Sequence, residues 1–125
     1  MNTRVSKIKK SQKESLLRKE ISELLQEASL DNPQLQGLSA SRVELSADKG
    51  IAHIFFFLPE GEGFFEKKLE FLKLFKPSLR KALANRIPGR YVPQLIFRYD
   101  NQLEKQIKIE SLLDEVKKDF KDDES

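Results

Sequence analysis

The 125-residue chain has no cysteine, one histidine, one methionine and only five glycines. Without cysteine there is no disulfide framework, thiol nucleophile or cysteine-ligated metal, which fits a reducing compartment. The single histidine, His53, leaves no His, Asp and Glu cluster with metal-ligand spacing. A lone histidine on a strand reads as a structural or surface residue. Gly61-Glu62-Gly63 is too short to cradle a phosphate, and no Walker or dinucleotide fingerprint is present. Glu60, Glu62 and Glu66 fall in a loop and at a helix start, where the helix dipole explains them better than acid–base chemistry does. No enzymatic activity, cofactor or metal is expected from this inventory. Long hydrophobic runs are missing too. The opening MNTRVSKIKKSQK has no apolar stretch after its charges, so no secretory signal is expected. The longest apolar run, Ile51 to Leu58, is far short of a membrane span. One soluble, cytoplasmic domain with no membrane partner is the expectation at this length.

Charge is abundant and segregated. Residues 1–20 carry a net +5, residues 21–65 a net −5, residues 66–98 a net +7 and residues 99–125 a net −4. Either basic block alone reads equally well as a solvated face. Two such blocks folded together make a footprint for a polyanion.

From Ser11 onward Leu16, Leu17, Ile21, Leu24, Leu25 and Ala28 recur at helical steps, and the helix should stop before Asp31-Asn32-Pro33. Residues 1–10 hold only Val5 and Ile8 to bury, and form either a frayed helix start or a disordered basic arm. After Gly37 the period becomes two. Val43 and Leu45 mark one strand, Asp48-Lys49-Gly50 a tight turn, and Ile51 to Leu58 a second strand pairing with the first as a hairpin. Phe64 to Phe75 is a helix so apolar that burial on more than one side is expected. Pro77 removes a helical hydrogen bond, so two helices should meet near Lys76, the second reaching about Ile87. Pro88-Gly89-Arg90 is a loop and Gln94 to Tyr99 a third strand. Asp100 or Asn101 caps a last helix carrying Leu103, Ile107, Leu112, Leu113 and Val116. The order predicts an α+β domain over residues 11–117, followed by an acidic, disordered tail over 118–125.

Candidate binding residues are the basic side chains of the first helix and of the helices around Pro77. They are Arg18, Lys19, Lys73, Lys76, Arg80, Lys81, Arg86 and Arg90. Lysine and arginine on phosphates supply affinity without reading sequence. Aromatic candidates for stacking on unpaired bases are Tyr91, Phe55 and Phe57, with core packing the competing role for the two phenylalanines.

Val92-Pro93-Gln94-Leu95-Ile96-Phe97-Arg98-Tyr99-Asp100 is similar to the pattern V-P-x-L-x-F-x-Y-D, the signature of the bacterial ribosome-binding factor A family. Lys19-Glu20-Ile21-Ser22-Glu23-Leu24-Leu25, Val43-Glu44-Leu45-Ser46-Ala47-Asp48 and Ala52-His53-Ile54-Phe55 add to the resemblance. The spacing from Asp100 to Ile109, Leu112 and Leu113 extends it over residues 12–113. The resemblance implies a type II KH-like domain (helix, two strands, kinked helix pair, strand) with a three-stranded sheet and an added C-terminal helix. It implies a non-catalytic assembly factor that binds the immature small ribosomal subunit and its rRNA, and a monomer is expected. Such a factor assists late maturation including the 5′-end region, is linked to cold adaptation, and in some bacteria leaves with help from a GTPase. Three segments depart from the family pattern. Phe75-Lys76-Pro77 replaces Ala-x-Gly at the kink, Asn32-Pro33-Gln34-Leu35 lacks an arginine, and Gln12-Lys13 replaces Arg-Val. No G-x-x-G loop is present, so shape and phosphate recognition is expected rather than the KH grip on four nucleotides.

Two further readings stay open. A general single-stranded RNA-binding KH-like module would need exposed stacking aromatics. A protein-interaction module would use the apolar Ile54–Leu58 strand as an edge or patch.

Overall fold

A computed structural model describes the backbone over residues 3–123 and side chains over 7–117. The elements are α1 (Thr3–Ser29), a 3-10 turn (Pro33–Leu35), β1 (Ala40–Leu45), β2 (Ile51–Phe56) and α2 (Glu62–Ala84). A second 3-10 turn (Pro88–Arg90), β3 (Gln94–Tyr99) and α3 (Asn101–Asp123) complete the chain. The sheet order is β1-β2-β3, with β1 antiparallel and β3 parallel to the central β2. A parallel neighbour needs a long crossover, and α2 supplies it. The α+β, KH-like arrangement expected from the sequence is the one found.

Alternation on the strands decides which face is core. Val43 and Leu45 of β1, Ala52, Ile54 and Phe56 of β2, and Leu95, Phe97 and Tyr99 of β3 are all buried. They meet Leu17, Ile21, Leu24 and Leu25 of α1 and Phe65, Leu72, Leu79 and Leu83 of α2. Phe56 sits between two aromatic partners, Phe65 at 5.7 Å and Phe97 at 5.9 Å between ring centroids. The two helices therefore cover one side of the sheet. The other side, with Arg42, His53, Phe55, Ile96 and Arg98, is left partly open. Ile54, Phe56 and Leu58 belong to the core, so the apolar β2 run is a centre rather than an edge.

The edge at β1 is sealed by side chains of α1. Glu14 accepts from the Leu45 N–H at 2.7 Å, and the Ser22 hydroxyl accepts from the Ala40 N–H at 3.0 Å. An exposed ladder edge invites pairing with another chain, and these bonds remove part of it. α1 begins well before Ser11, so residues 3–10 extend the helix. α3 continues through Asp123, into the acidic stretch expected to be disordered. Over residues 105–117 α3 is exposed on every side, with Leu112 at 61% and Leu113 at 56%.

The expected break at Pro77 is absent. α2 runs unbroken for 23 residues with Pro77 inside it. Leu72, Leu79 and Leu83 hold the same buried row on both sides of the proline, so packing against the core keeps both halves in one helix. Pro77 itself is exposed, and the Lys73 carbonyl that loses its bond lies on the same outer side, where water can serve it. Burial of the common face outweighs the local penalty.

One buried carboxylate joins four elements. Asp100 is 1% exposed, and its N–H donates to the Phe56 carbonyl at 2.6 Å. Its Oδ2 accepts from the Ser41 hydroxyl at 2.6 Å and from Arg42 Nε at 3.1 Å, while Oδ1 accepts from the Leu103 N–H at 3.0 Å and caps α3. Burial pushes its pKa up, but the bonds from Ser41, the Leu103 N–H and Arg42 outweigh burial and hold it below the ordinary aspartate value. A folded-state pKa below the unfolded one adds stability above the unfolded pKa. That stability is lost as pH falls through the folded value.

Asp100→Asn should therefore lower stability at pH 7 by about 2–4 kcal/mol, the range for breaking a buried pair together with a cap. The gap to the parent should shrink at pH 3, as read by urea unfolding at both pH values. Pro77→Ala should raise stability by about 2 kcal/mol by restoring the Lys73 carbonyl bond, with a matching rise in melting temperature.

Candidate nucleic-acid interface

The eight basic candidates divide by what their side chains already hold. Arg80 is not a free cation. From α2 its guanidinium donates to the carbonyls of Val92, at 3.1 Å, and Pro93. Pro93 is fully buried, so Arg80 satisfies backbone groups at the entry to β3. Arg86 is likewise consumed. It follows the end of α2 and reaches three carboxylates of α1, Glu20 at 3.2 Å, Glu23 at 3.4 Å and Glu27 at 3.0 Å. Hydrogen bonds donated to Glu27 and Glu20 push its pKa up, which fixes a charge that was already permanent. Both arginines look like phosphate ligands in sequence because the acids and carbonyls that engage them lie far away along the chain. The structure assigns them to the fold.

The other six carry no ion pair among the described residues. Helical spacing places Lys73 and Lys76 on the flank of α2 that faces β3, the flank Arg80 also occupies. The Lys76 ammonium lies 5.4 Å from the Phe97 ring centroid, which holds its stem along the sheet while the charge stays near solvent. Lys81 is exposed on the side of α2 away from the core, and Lys19 is exposed on the corresponding side of α1. Arg18 is on a different flank, lining a shallow cleft with Ser41, Arg42 and Val43 at β1. Arg90 sits in the turn before β3. The unpaired lysines of α2 thus lie on its β3-facing flank, Lys73 and Lys76, and on its outer side, Lys81, with Arg18 at the opposite edge of the sheet.

Other cations are also committed. Lys68 donates to the carbonyls of Gln34 and Gln36 at 3.0 and 3.1 Å, tying α2 to the Pro33–Leu35 turn. The Arg42 guanidinium lies 3.8 Å from the Phe55 ring centroid and bonds Glu44 and Asp100. Arg98 donates to His53 Nδ1 at 3.0 Å, so the lone histidine has a structural partner on the open sheet face.

Of the three stacking candidates, Phe55 is covered by Arg42, and Phe57 packs against Tyr99 at 6.3 Å. Only Tyr91 stands out, 59% exposed, with the Lys13 ammonium 5.7 Å from its ring centroid. Lys9 and Lys13 were not among the residues the sequence singled out. Their basic block was visible, but its meeting with the turn before Tyr91 depends on tertiary contact.

The segments that carry the family resemblance have visible structural duties. Val92 and Pro93 accept from Arg80, Leu95 and Phe97 fill the core, the Tyr99 hydroxyl donates to the Leu58 carbonyl at 3.1 Å, and Asp100 joins the elements described above. In the first helix, Glu20 and Glu23 hold Arg86, and Ser22 seals β1. Among the described residues no group of three or more His, Cys, Asp or Glu could hold a metal ion, and no helix is long and apolar enough to cross a membrane.

This division makes a direct comparison possible. Arg80→Ala should cost about 1–3 kcal/mol of stability, because it leaves two carbonyls at a buried junction without their donor. Lys76→Ala should change stability by no more than about 0.5–1 kcal/mol, the range for a surface substitution that removes one exposed cation–ring interaction. Thermal melts of the two variants measure the difference.

The match to known proteins agrees with this architecture. The sequence profile described as Ribosome-binding factor A matches residues 9–113. A Ribosome-binding factor A of Prochlorococcus marinus subsp. pastoris is 36% identical over 118 residues, covering 93% of this chain and 85% of that protein. One from Macrococcus caseolyticus is 32% identical over 103 residues, covering 82% and 90% respectively. The crystal structure of ribosome-binding factor A from Thermus thermophilus superposes with a TM-score of 0.61 at 29% identity, over 72% of this chain and 94% of that one. With the profile spanning most of the domain and the fold shared, the chain belongs to the ribosome-binding factor A family.

Proposed function

We propose that this protein is a non-catalytic ribosome assembly factor that binds the immature small ribosomal subunit through its rRNA and assists late rRNA maturation in the cytoplasm. Family membership supports a role on the ribosome. The observation that carries the RNA-binding part is the Lys73, Lys76 and Lys81 group on α2, without acidic partners among the described residues while Arg80 and Arg86 are spent on the fold. Unpaired lysines on a rigid helix make phosphate contacts by displacing counterions, and they track the shape of a folded RNA rather than its sequence. The protein acts as a monomer, leaves once the RNA has matured, and takes a ribosome-associated GTPase as a release partner. A link to cold adaptation follows from the same family reading. A general single-stranded RNA binder is less well supported, because two of its three stacking aromatics are covered.

The combined variant Lys73→Glu, Lys76→Glu and Lys81→Glu keeps every arginine that the fold uses. It should co-sediment with small subunits far more weakly than the parent at moderate salt. Its log–log salt dependence should be shallower by roughly one unit for each phosphate that is no longer neutralised. An unchanged melting temperature shows that the fold is intact. Parent-like co-sedimentation and slope would rule this face out as the RNA surface.

A further inference from the structure

The start of α1 and the Ile87–Tyr91 segment enclose a groove that none of the roles above uses. Its volume is 510 Å3, and it is lined by Leu16, Leu17, Ile87 and Pro88 below and by Lys9, Gln12 and Lys13 at the rim. Leu17 and Ile87 are core residues, so the groove reaches down to the hydrophobic interior. An apolar cleft of this size with a few polar groups at its mouth has the make-up of a small-ligand site.

Its surroundings narrow the ligand. Lys9 and Lys13 of the first basic block stand at its rim. The nearest acids of α1 are already engaged, Glu14 with the Leu45 N–H and Glu20 with Arg86. Lys9 and Lys13 therefore face the groove mouth without an acidic partner among the described residues. Tyr91 adds an exposed ring beside Lys13. Gln12 adds an amide that both donates and accepts. Gly89 and Arg90 both have left-handed backbone, at φ 76° and 56°. For a non-glycine residue this conformation is uncommon and is held only where the surroundings impose it.

We propose that this groove takes one unpaired RNA nucleotide. The base enters over Leu16, Ile87 and Pro88 with its edge at the Gln12 amide, Tyr91 supplies a stacking face, and Lys9 and Lys13 meet the flanking phosphates. This rests on the RNA-binding reading above and adds to it a subsite for a base splayed out of a folded RNA. A free phosphate would use the lysines but not the apolar floor. An acidic amphipathic helix would use the floor and the lysines but has no need of the ring and the amide.

The test is an NMR titration of the isotopically labelled full chain with the trinucleotides rUUU and rAAA. Inorganic phosphate and an acidic amphipathic peptide serve as separate arms. Amide shifts at Gln12, Leu16, Ile87 and Tyr91 are expected with a trinucleotide and not with phosphate. Tyr91→Ala should weaken binding about 5- to 10-fold, within the range for one base on an aromatic ring. Gln12→Trp, at an exposed position, should fill the mouth and abolish the shifts while leaving the melting temperature unchanged. No shifts, shifts reproduced by phosphate alone, a response to the acidic peptide only, or an unaffected Gln12→Trp would each overturn the proposal. If trinucleotide shifts fall only on the Lys73, Lys76 and Lys81 face, the groove is refuted and the RNA-binding reading survives. If the lysine triple variant keeps full co-sedimentation while the groove responds as expected, the α2 surface fails and the subsite stands.

Discussion

Asp100 has to remain charged, buried and fully bonded for this domain to hold its shape. Its carboxylate takes bonds from Ser41, Arg42 and the first turn of α3, and its own N–H closes the last rung against β2. A buried carboxylate without those donors would neutralise itself by taking up a proton or pull the junction apart. The neighbouring Tyr99 adds a second tie by donating to the Leu58 carbonyl where the chain leaves β2. Burial pushes the Tyr99 pKa up, so its hydroxyl keeps the proton it donates. The Tyr-Asp pair at the end of β3 therefore fixes where the sheet stops and in which direction α3 departs.

That junction also separates two uses of positive charge. Arginine has a planar fork that satisfies carbonyls and carboxylates several at a time, and Arg80, Arg86 and Arg42 are spent in this way. Lysine is a compact, well-hydrated charge on a flexible stem, and Lys73, Lys76 and Lys81 stay unpaired among the described residues. The basic blocks thus do two jobs. The arginines tie α2 to the entry of β3, the end of α2 to α1, and β1 to Asp100, while the lysines stay unpaired among the described residues. Because exposed charges are screened within about 8 Å at physiological salt, such a surface attracts only a polyanion brought close to it.

Much of the fold was legible because local pattern and tertiary outcome agree. Alternation at Val43 and Leu45 and at Leu95 and Phe97 named the buried face of β1 and β3, whereas the β2 run is apolar on both faces and its buried side, Ala52, Ile54 and Phe56, is shown only by the fold. Pro77 misled because its cost is local, whereas the row Leu72, Leu79 and Leu83 that outweighs it is a property of packing. The structural partners of Arg80 and Arg86, Val92 and Pro93 for one and Glu20 to Glu27 for the other, are identified only by the folded chain. Ile107, Leu112, Leu113 and Val116 of α3 have helical spacing, yet they stand exposed, which periodicity alone does not reveal. Lys9 and Lys13 belonged to a visible basic block, but the groove they border exists only once Ile87 and Pro88 are folded against α1.

The central claim is that the lysine face of α2 engages rRNA of the maturing small subunit. Ultraviolet crosslinking in living cells, with the crosslinked nucleotides mapped, tests it most directly. The account predicts crosslinks concentrated on small-subunit rRNA from immature particles, and their loss when Lys73, Lys76 and Lys81 are replaced by glutamate. Crosslinks scattered over messenger RNA, or a pattern indifferent to those three lysines, would contradict it.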